Sequence, residues 1–343
     1  MNRLLVAVTI SLTVSIFGTR LLIDWLRNHR IGQPIREDGP QGHMIKAGTP
    51  TMGGVAIVGG ALAGYVVSDS WNGIYTRTGI ILMLMIVGAG FVGLLDDWIK
   101  VSRERNLGLS KRAKSAGLLT VAVAFAIAIP AFTSVHTELA FTRYDSIGID
   151  LTEVGWGIWA VLLIVGSTNA VNLTDGLDGL ASGAAILSFA AYVVIGFWQF
   201  RHPEVYDVTH ALDLSVIAAA MLGACIGFIW WNAPPAQIFM GDAGALAIGG
   251  GLAGLALTTD THLLLPIVGG LFVMETVSVM LQVARFRTSG KRFFRMAPIH
   301  HHFEIGGWPE TTVLIRFWMI HGACVGLGLG LFYRDFIGTG AID

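Results

Sequence analysis

Ten stretches of mostly apolar residues, each close to the length of a membrane span, run through this 343-residue chain. They fall near 3–26, 52–70, 78–96, 115–133, 154–172, 179–199, 211–231, 243–260, 262–284 and 312–333. A helix needs about 20 apolar residues to cross the hydrocarbon core of a bilayer. Within that core every backbone polar group must be satisfied inside the chain, which leaves helices or closed barrels. Long apolar runs without strict alternation select helices. The expected fold is all-α: a polytopic membrane protein with ten transmembrane helices, forming one integral membrane domain over residues 1–343. Composition agrees, with 54% hydrophobic and 13% charged residues, against about 25% charged in a soluble domain. The first stretch lacks a small-residue cleavage site and is too long for a signal peptide, so it reads as a membrane helix. Glycine is abundant, at 44 residues, and small residues let membrane helices approach closely.

Lysine and arginine orient the spans, because cytoplasmic connections carry an excess of both. The connections 27–51, 97–114 and 285–311 hold four, six and five. The opposite side holds Arg3, Arg77, Arg143, Arg201 and Arg334. Fifteen against five places the first group in the cytoplasm and both termini on the outer, periplasmic side. The same parity puts the short connections 173–178 and 232–242 in the cytoplasm. The net charge of −1 argues against a strongly basic surface for nucleic acid. Cys225 and Cys324 lie in apolar runs and read as small core residues, not as a disulfide or zinc framework.

Four polar features fall on the predicted cytoplasmic face. "GLLDDWIK" places Asp96 and Asp97 at the expected end of the third span. The negative end of a helix dipole disfavours two carboxylates there, so they call for a cation or a proton. Asp96 and Lys100, four residues apart, form an ion pair on the simplest reading. "NAVNLTDGLDGLASG" holds Asn169, Asn172, Thr174, Asp175 and Asp178 among glycines. It reads as a turn and helix cap, or as a ligand loop whose glycines admit close approach to the backbone. "NAPPAQIFMGDAGALAIGG" holds Asp242, which suits a helix N-cap or a carboxylate ligand for Mg²⁺, a hard cation that prefers oxygen. Phe239 beside it is core, or a stacking surface for a base.

The fourth feature is "RFRTSGKRFFRMAPIHHHFE". Its basic residues and phenylalanines over 291–296 resemble an interfacial segment on anionic lipid. His300, His301 and His302 follow. An internal affinity tag between two spans is a poor reading. A zinc site is also poorly supported, since adjacent side chains diverge by about 100° in a helix. Imidazoles facing phosphates fit better, because phosphate favours their charged form. The flexible loop "IREDGPQGHMIKAGTPTMGG" offers Lys46 as a phosphate contact. Glu275, a carboxylate inside the ninth span, is a functional candidate; hydrogen bonding to Gln282 is the plainer reading.

Together, "KAGTPTMGG", "GLLDDWIK", "NLTDGLDGLA", "IFMGD" and "MAPIHHHFE" occur in that order across the whole chain. The set resembles the phospho-N-acetylmuramoyl-pentapeptide-transferases, within the wider superfamily of polyprenyl-phosphate N-acetylhexosamine-1-phosphate transferases. "NLTDGLDG" and "MGD" are the wider marks, "MAPIHHHFE" and "GTPTMGG" the narrower ones. The resemblance implies attack by undecaprenyl phosphate on the β-phosphate of UDP-N-acetylmuramoyl-pentapeptide, giving lipid I and UMP for peptidoglycan, with Mg²⁺ as cofactor. It implies a bacterial inner membrane protein with a cytoplasm-facing site, and a homodimer by family tendency. Asp242 matches the Mg²⁺-binding aspartate. Asp97, with Asp96 beside it, matches the residue assigned to deprotonating the lipid phosphate. Asn172, Asp175, Gly176, Leu177 and Asp178 match the nucleoside-binding loop, and Asn232 and Phe239 further nucleoside contacts, Phe239 on uracil. Lys46, Lys100 and Lys111 match basic residues near the substrate phosphates, and His300, His301 and His302 match a motif needed for activity. The alternatives are transfer of N-acetylglucosamine-1-phosphate to the same lipid, or a lipid transporter or flippase. Against transport, the sequence shows no pair of related halves with interrupted helices.

Overall fold

A computed structural model of the chain describes residues 2–29, 48–70, 75–102 and 108–340. The described residues are helical apart from their connections and one isolated bridge between Glu138 and Asp150. The helices are α1 (Asn2–Asn28), α2 (Gly54–Ser70), α3 (Arg77–Ser102), α4 (Lys111–Phe132), α5 (Thr152–Thr174), α6 (Leu180–Arg201) and α7 (Pro203–Tyr206). They continue with α8 (Ala211–Asn232), α9 (Gly241–Thr258), α10 (Leu265–Val268), α11 (Gly270–Ser289), α12 (Ile299–Ile305) and α13 (Glu310–Gly338).

Nine of the ten apolar stretches fall on a single helix each, but among the described residues eight helices are long and apolar enough to cross a bilayer: α1, α3, α4, α5, α6, α8, α9 and α13. Helix α2 is apolar but has 17 residues. The expected ninth stretch is broken. A turn and α10 occupy its first part, and α11 starts only at Gly270. The second half of α11 carries Gln282, Arg285 and Arg287, which lowers its hydropathy. Cys225 and Cys324 are both free thiols.

Helix α9 is the centre of the bundle. Every residue from Asp242 to Thr258 is buried, and α2, α3 and α5 pack around it. Its sequence, GDAGALAIGGGLAGLALT, explains this. A helix made largely of Gly and Ala presents almost no side-chain radius, so neighbouring backbones close onto it. On α3, Gly93 takes advantage of that: a Cβ there would run into the backbone of Asp242 and Ala243. This contact brings the end of α3 against the start of α9.

At the opposite end of α3, Asp213 of α8 ties three helices. Its Oδ2 accepts from the Thr76 N–H at 2.9 Å, from the Thr76 hydroxyl, and from the Tyr65 O–H at 3.2 Å. Near the start of α10, Asp260 lies 2.8 Å from Nδ1 of His136. Helix α3 is held at one end by the Gly93 contact with α9 and at the other by Asp213.

Overpacking a close helix crossing costs about 1–3 kcal/mol. Gly93→Leu is expected to lower the thermal unfolding midpoint in detergent, whereas Gly18→Leu on α1, with nothing within 4 Å of its position, leaves it unchanged. Equal midpoints for the two variants would show that α3 and α9 are not in tight contact.

Candidate functional site

Helix α3 does not stop at Asp96, as the apolar run suggested, but continues to Ser102. Asp96 and Asp97 therefore lie more than a turn inside the helix and are both buried. Successive helical side chains diverge, and here each aspartate finds a different anchor. Oδ1 of Asp96 accepts the Leu109 N–H at 2.8 Å. Oδ2 of Asp97 accepts the Ala243 N–H at 3.1 Å. Asp242, buried in the first turn of α9, accepts on Oδ1 from the amide of Asn172 at the end of α5. One oxygen of each carboxylate is thus held by a separate part of the fold.

The other three oxygens converge on a single ammonium. Lys100 Nζ lies 2.6 Å from Asp96 Oδ2, 2.6 Å from Asp242 Oδ2 and 3.3 Å from Asp97 Oδ1. The expected pairing of Asp96 with Lys100 is present, but it is one spoke of a three-carboxylate hub. Lys114, one turn into α4, adds its Nζ 2.7 Å from Asp242 Oδ2. Two ammoniums offset three carboxylates, and the remaining negative charge is what a cation site needs. One oxygen from each of Asp96, Asp97 and Asp242 lies within 4.8 Å of the others. A buried all-carboxylate oxygen set fits Mg²⁺ and does not fit a thiophilic or imidazole-seeking metal. The set is larger than the single aspartate, Asp242, that the sequence resemblance implies.

The helix-cap reading of Asp242 does not hold. Met240 occupies the N-cap position of α9, and no side chain of its own caps the helix. The carboxylate that accepts a first-turn N–H is Asp97, reaching across from α3. A helix N-terminus favours negative charge, so the same contact stabilises α9 and holds Asp97 in place.

Around this hub lie two loops. Asp175 is the C-cap of α5, Gly176 follows it, and Leu177 and Asp178 are buried. The Asp178 N–H donates to Glu310 Oε1 at 3.1 Å, and Asp178 Oδ2 accepts the Ala236 N–H at 3.0 Å. Asn232, buried, is a three-way tie. Its Oδ1 accepts from the Gly179 N–H and the Ser182 hydroxyl, each at 3.1 Å, and its Nδ2 donates to the Ile238 carbonyl at 3.0 Å. The backbone of Phe239 is stitched to residues 50–53: its N–H donates to the Pro50 carbonyl at 2.8 Å and its carbonyl accepts the Gly53 N–H at 2.9 Å. The Phe239 ring is half-buried. "GTPTMGG" and "IFMGD", far apart in sequence, thereby form one wall.

The three histidines occupy consecutive positions of α12 and point three ways. His300 is fully buried, with Nδ1 3.0 Å from Oε2 of Glu275. His301 Nδ1 meets Glu304 Oε2 at 2.7 Å. His302 Nδ1 accepts the Arg295 N–H at 3.1 Å and so pins the turn before the helix. The divergence rules out one shared ion. Glu275 pairs with His300 rather than with Gln282, which instead bonds the backbone of Phe293 and Phe294. His300 also reaches the first loop: a Cβ on Gly176 would collide with its Nε2.

Among the expected basic contacts, Lys100 is at the centre. Lys111 is exposed on the first turn of α4, and the lysine that reaches the carboxylates is Lys114. The sequence offered a signal for it, since Ser110 caps α4 through the Ala113 N–H and Lys114 follows Lys111 by three residues, just under one turn. Lys46 lies outside the described residues.

Burial and the negative charges of Asp242, Asp97 and Asp178 push the Asp175 carboxyl up to about 8, although part of its surface meets solvent. An unfolded Asp titrates near 3.9. Between about pH 4 and pH 8 the folded protein therefore binds one more proton here than the unfolded chain, and stability falls as pH rises through that window. Thermal midpoints without divalent ions, from about pH 5 to about pH 9, should drop more for the parent protein than for Asp175→Asn. Parallel curves would show that Asp175 is already ionised in the folded state.

Comparison with known sequences places this geometry in context. The sequence model of Glycosyl transferase family 4 matches residues 79–260, which contain all three hub aspartates. The phospho-N-acetylmuramoyl-pentapeptide-transferase signature 1 matches residues 46–58. The chain is similar to phospho-N-acetylmuramoyl-pentapeptide-transferases of Frankia alni, with 48% identity over 99% of both chains, and of Thermobifida fusca, with 50% identity over 98% of this chain and 99% of the relative. The Mycobacterium leprae protein of the same name is 47% identical over 99% of both.

Proposed function

The chain belongs to the phospho-N-acetylmuramoyl-pentapeptide-transferase family, and from that premise we propose how its residues carry out the reaction. The enzyme transfers phospho-N-acetylmuramoyl-pentapeptide from its UDP-linked donor to undecaprenyl phosphate, releasing UMP and giving lipid I. It is a multi-pass membrane transferase of peptidoglycan synthesis. Our reading adds ten membrane crossings, with α2 and the α10–α11 pair as the two beyond the eight long helices. It places the site on the cytoplasmic face of the inner membrane, both termini outside, on the strength of the lysine and arginine asymmetry. The family resemblance is the support for a homodimer.

The observation that carries the site assignment is the convergence of three anchored carboxylate oxygens on Lys100. Phosphoryl transfer asks for positioning and charge neutralisation more than for covalent chemistry. Asp242, with Asp96 beside it, would hold Mg²⁺, which supplies Lewis acidity and offsets phosphate charge when bound. Lys100 and Lys114 supply further positive charge for the donor diphosphate. The 175–178 loop, Asn232 and Phe239 form the wall for the uridine. Asp97 Oδ1, the oxygen not tied to α9, takes the proton from the lipid phosphate. The phosphate oxygen then bonds to the β-phosphorus, the bond from that phosphorus to UMP breaks, and UMP leaves with the electron pair. The anchoring of Asp97 by the Ala243 N–H suits a proton acceptor better than a nucleophile that must swing onto phosphorus. A radiolabelled phospho-enzyme formed from donor alone, in the absence of lipid acceptor, would overturn direct attack.

UMP release assayed over a range of Mg²⁺ concentrations tests the hub. Asp242→Asn is expected to lower kcat by at least about 10²-fold, as for loss of one preorganised electrostatic partner. Near-full activity would leave Asp242 a structural residue of the α9 first turn. In the same assay Lys114→Met should lose about tenfold or more, while Lys111→Met stays close to the parent; the reverse order would return the phosphate contact to Lys111.

A further inference from the structure

The buried Glu275–His300 pair is not used by the reaction scheme above. Glu275 lies on the first half of α11 and His300 on α12, and neither has any exposed surface. Their nearest atoms, Oε2 and Nδ1, are 3.0 Å apart but off the line of a hydrogen bond. The remaining polar atoms, Oε1 of Glu275 and Nε2 of His300, have no hydrogen-bonding partner among the described residues. A buried carboxylate is costly, and an apolar pair of the same volume would serve packing at least as well. Something other than stability therefore accounts for its placement.

The second ring nitrogen shows what that is. Nε2 of His300 faces the backbone of Gly176 so closely that a Cβ there would collide with it. Gly176 lies between Asp175 and Leu177, in the loop that also bears Asp178. The side chains thus form a line: Glu275 sets the ring of His300 by its Nδ1 edge, and the Nε2 edge sets the loop. His301 packs its ring against that of His300 at 4.1 Å and limits rotation about the line. A carboxylate held against an imidazole sets the orientation of the ring.

We propose that Glu275 is a positioning residue for nucleotide binding, acting through His300 on the Asp175–Asp178 loop. The inference rests on the assignment of that loop to the uridine nucleotide. Glu275 itself touches no substrate. Removing the carboxylate releases the ring, and the loop loses its fixed edge, so the effect falls on the nucleotide and not on the lipid acceptor.

The test uses the purified full-length enzyme with UDP-N-acetylmuramoyl-pentapeptide and undecaprenyl phosphate. Glu275→Gln keeps the shape and removes the charge. It should raise KM for the nucleotide substrate about tenfold, in the range seen for groups that orient a functional histidine, with KM for the lipid and the thermal midpoint unchanged. His300→Asn should do the same, and the double variant should be no worse than His300→Asn alone, because the two act as one unit. Parent-like kinetics for Glu275→Gln, or effects of the two variants that multiply, would overturn the proposal. A fall in kcat with unchanged KM and a lowered midpoint would also overturn it and make the pair structural. If the parent enzyme released no UMP, the functional reading would fail instead. Calorimetric titration with UDP then still decides the inference: about tenfold weaker binding to Glu275→Gln supports it, and equal binding refutes it.

Discussion

Three carboxylates share a buried site here because a lysine stands where their free oxygens meet. Like charges so close would otherwise drive protonation or force the helices apart. Lys100 opposes both, and Lys114 shares the load at Asp242. The oxygens not turned to lysine are held by an N–H after α3, an N–H of α9 and an amide of α5. The cluster therefore depends on three helices keeping their places, and their places depend on the small residues of α9. Removing one partner from such a hub leaves unpaired buried charge.

The second layer of the site follows the same rule of indirect support. Asn232 joins the ends of α8 and the start of α6 to the 236–240 turn with a single side-chain amide. Residues 50–54 lie against 239–240 through backbone bonds, and glycine is required where they meet, since a Cβ on Gly53 would collide with the Phe239 carbonyl and one on Gly54 with the backbone of Gly244. His302 holds its preceding turn in a similar way, which separates its role from that of His300 even though the two are near neighbours in sequence.

Much of this could be read from the chain before folding. Apolar length located the helices, and the parity of basic connections gathered Asp96, Asp97, the 172–178 stretch, Asp242 and the histidines at one end. Local pattern failed where a long-range partner decides the outcome. Asp242 has the spacing of a helix cap, but the capping carboxylate comes from α3, 145 positions earlier at Asp97. Glu275 and Gln282 suit a bond within α11, yet each is claimed by a segment that folds back from beyond the helix. Lys111 and Lys114 both start α4, and only the direction of the helix after Ser110 separates them. The break before α11 did leave a mark, Pro266 and the Gly269–Gly270 pair, but it sits inside an apolar run long enough to pass for one span.

Helix α9 has a consequence that belongs to the membrane rather than to the chemistry. It has no lipid-facing surface along its buried length from Asp242 to Thr258. Changes in bilayer thickness act on helices that touch lipid, by tilting them or stretching the surrounding leaflets. They reach α9 only through the helices packed on it. Asp242 thus rides on a strut whose height is set by protein packing. An enzyme that draws its acceptor from the bilayer keeps the chemical end of its site insulated from the composition of that bilayer.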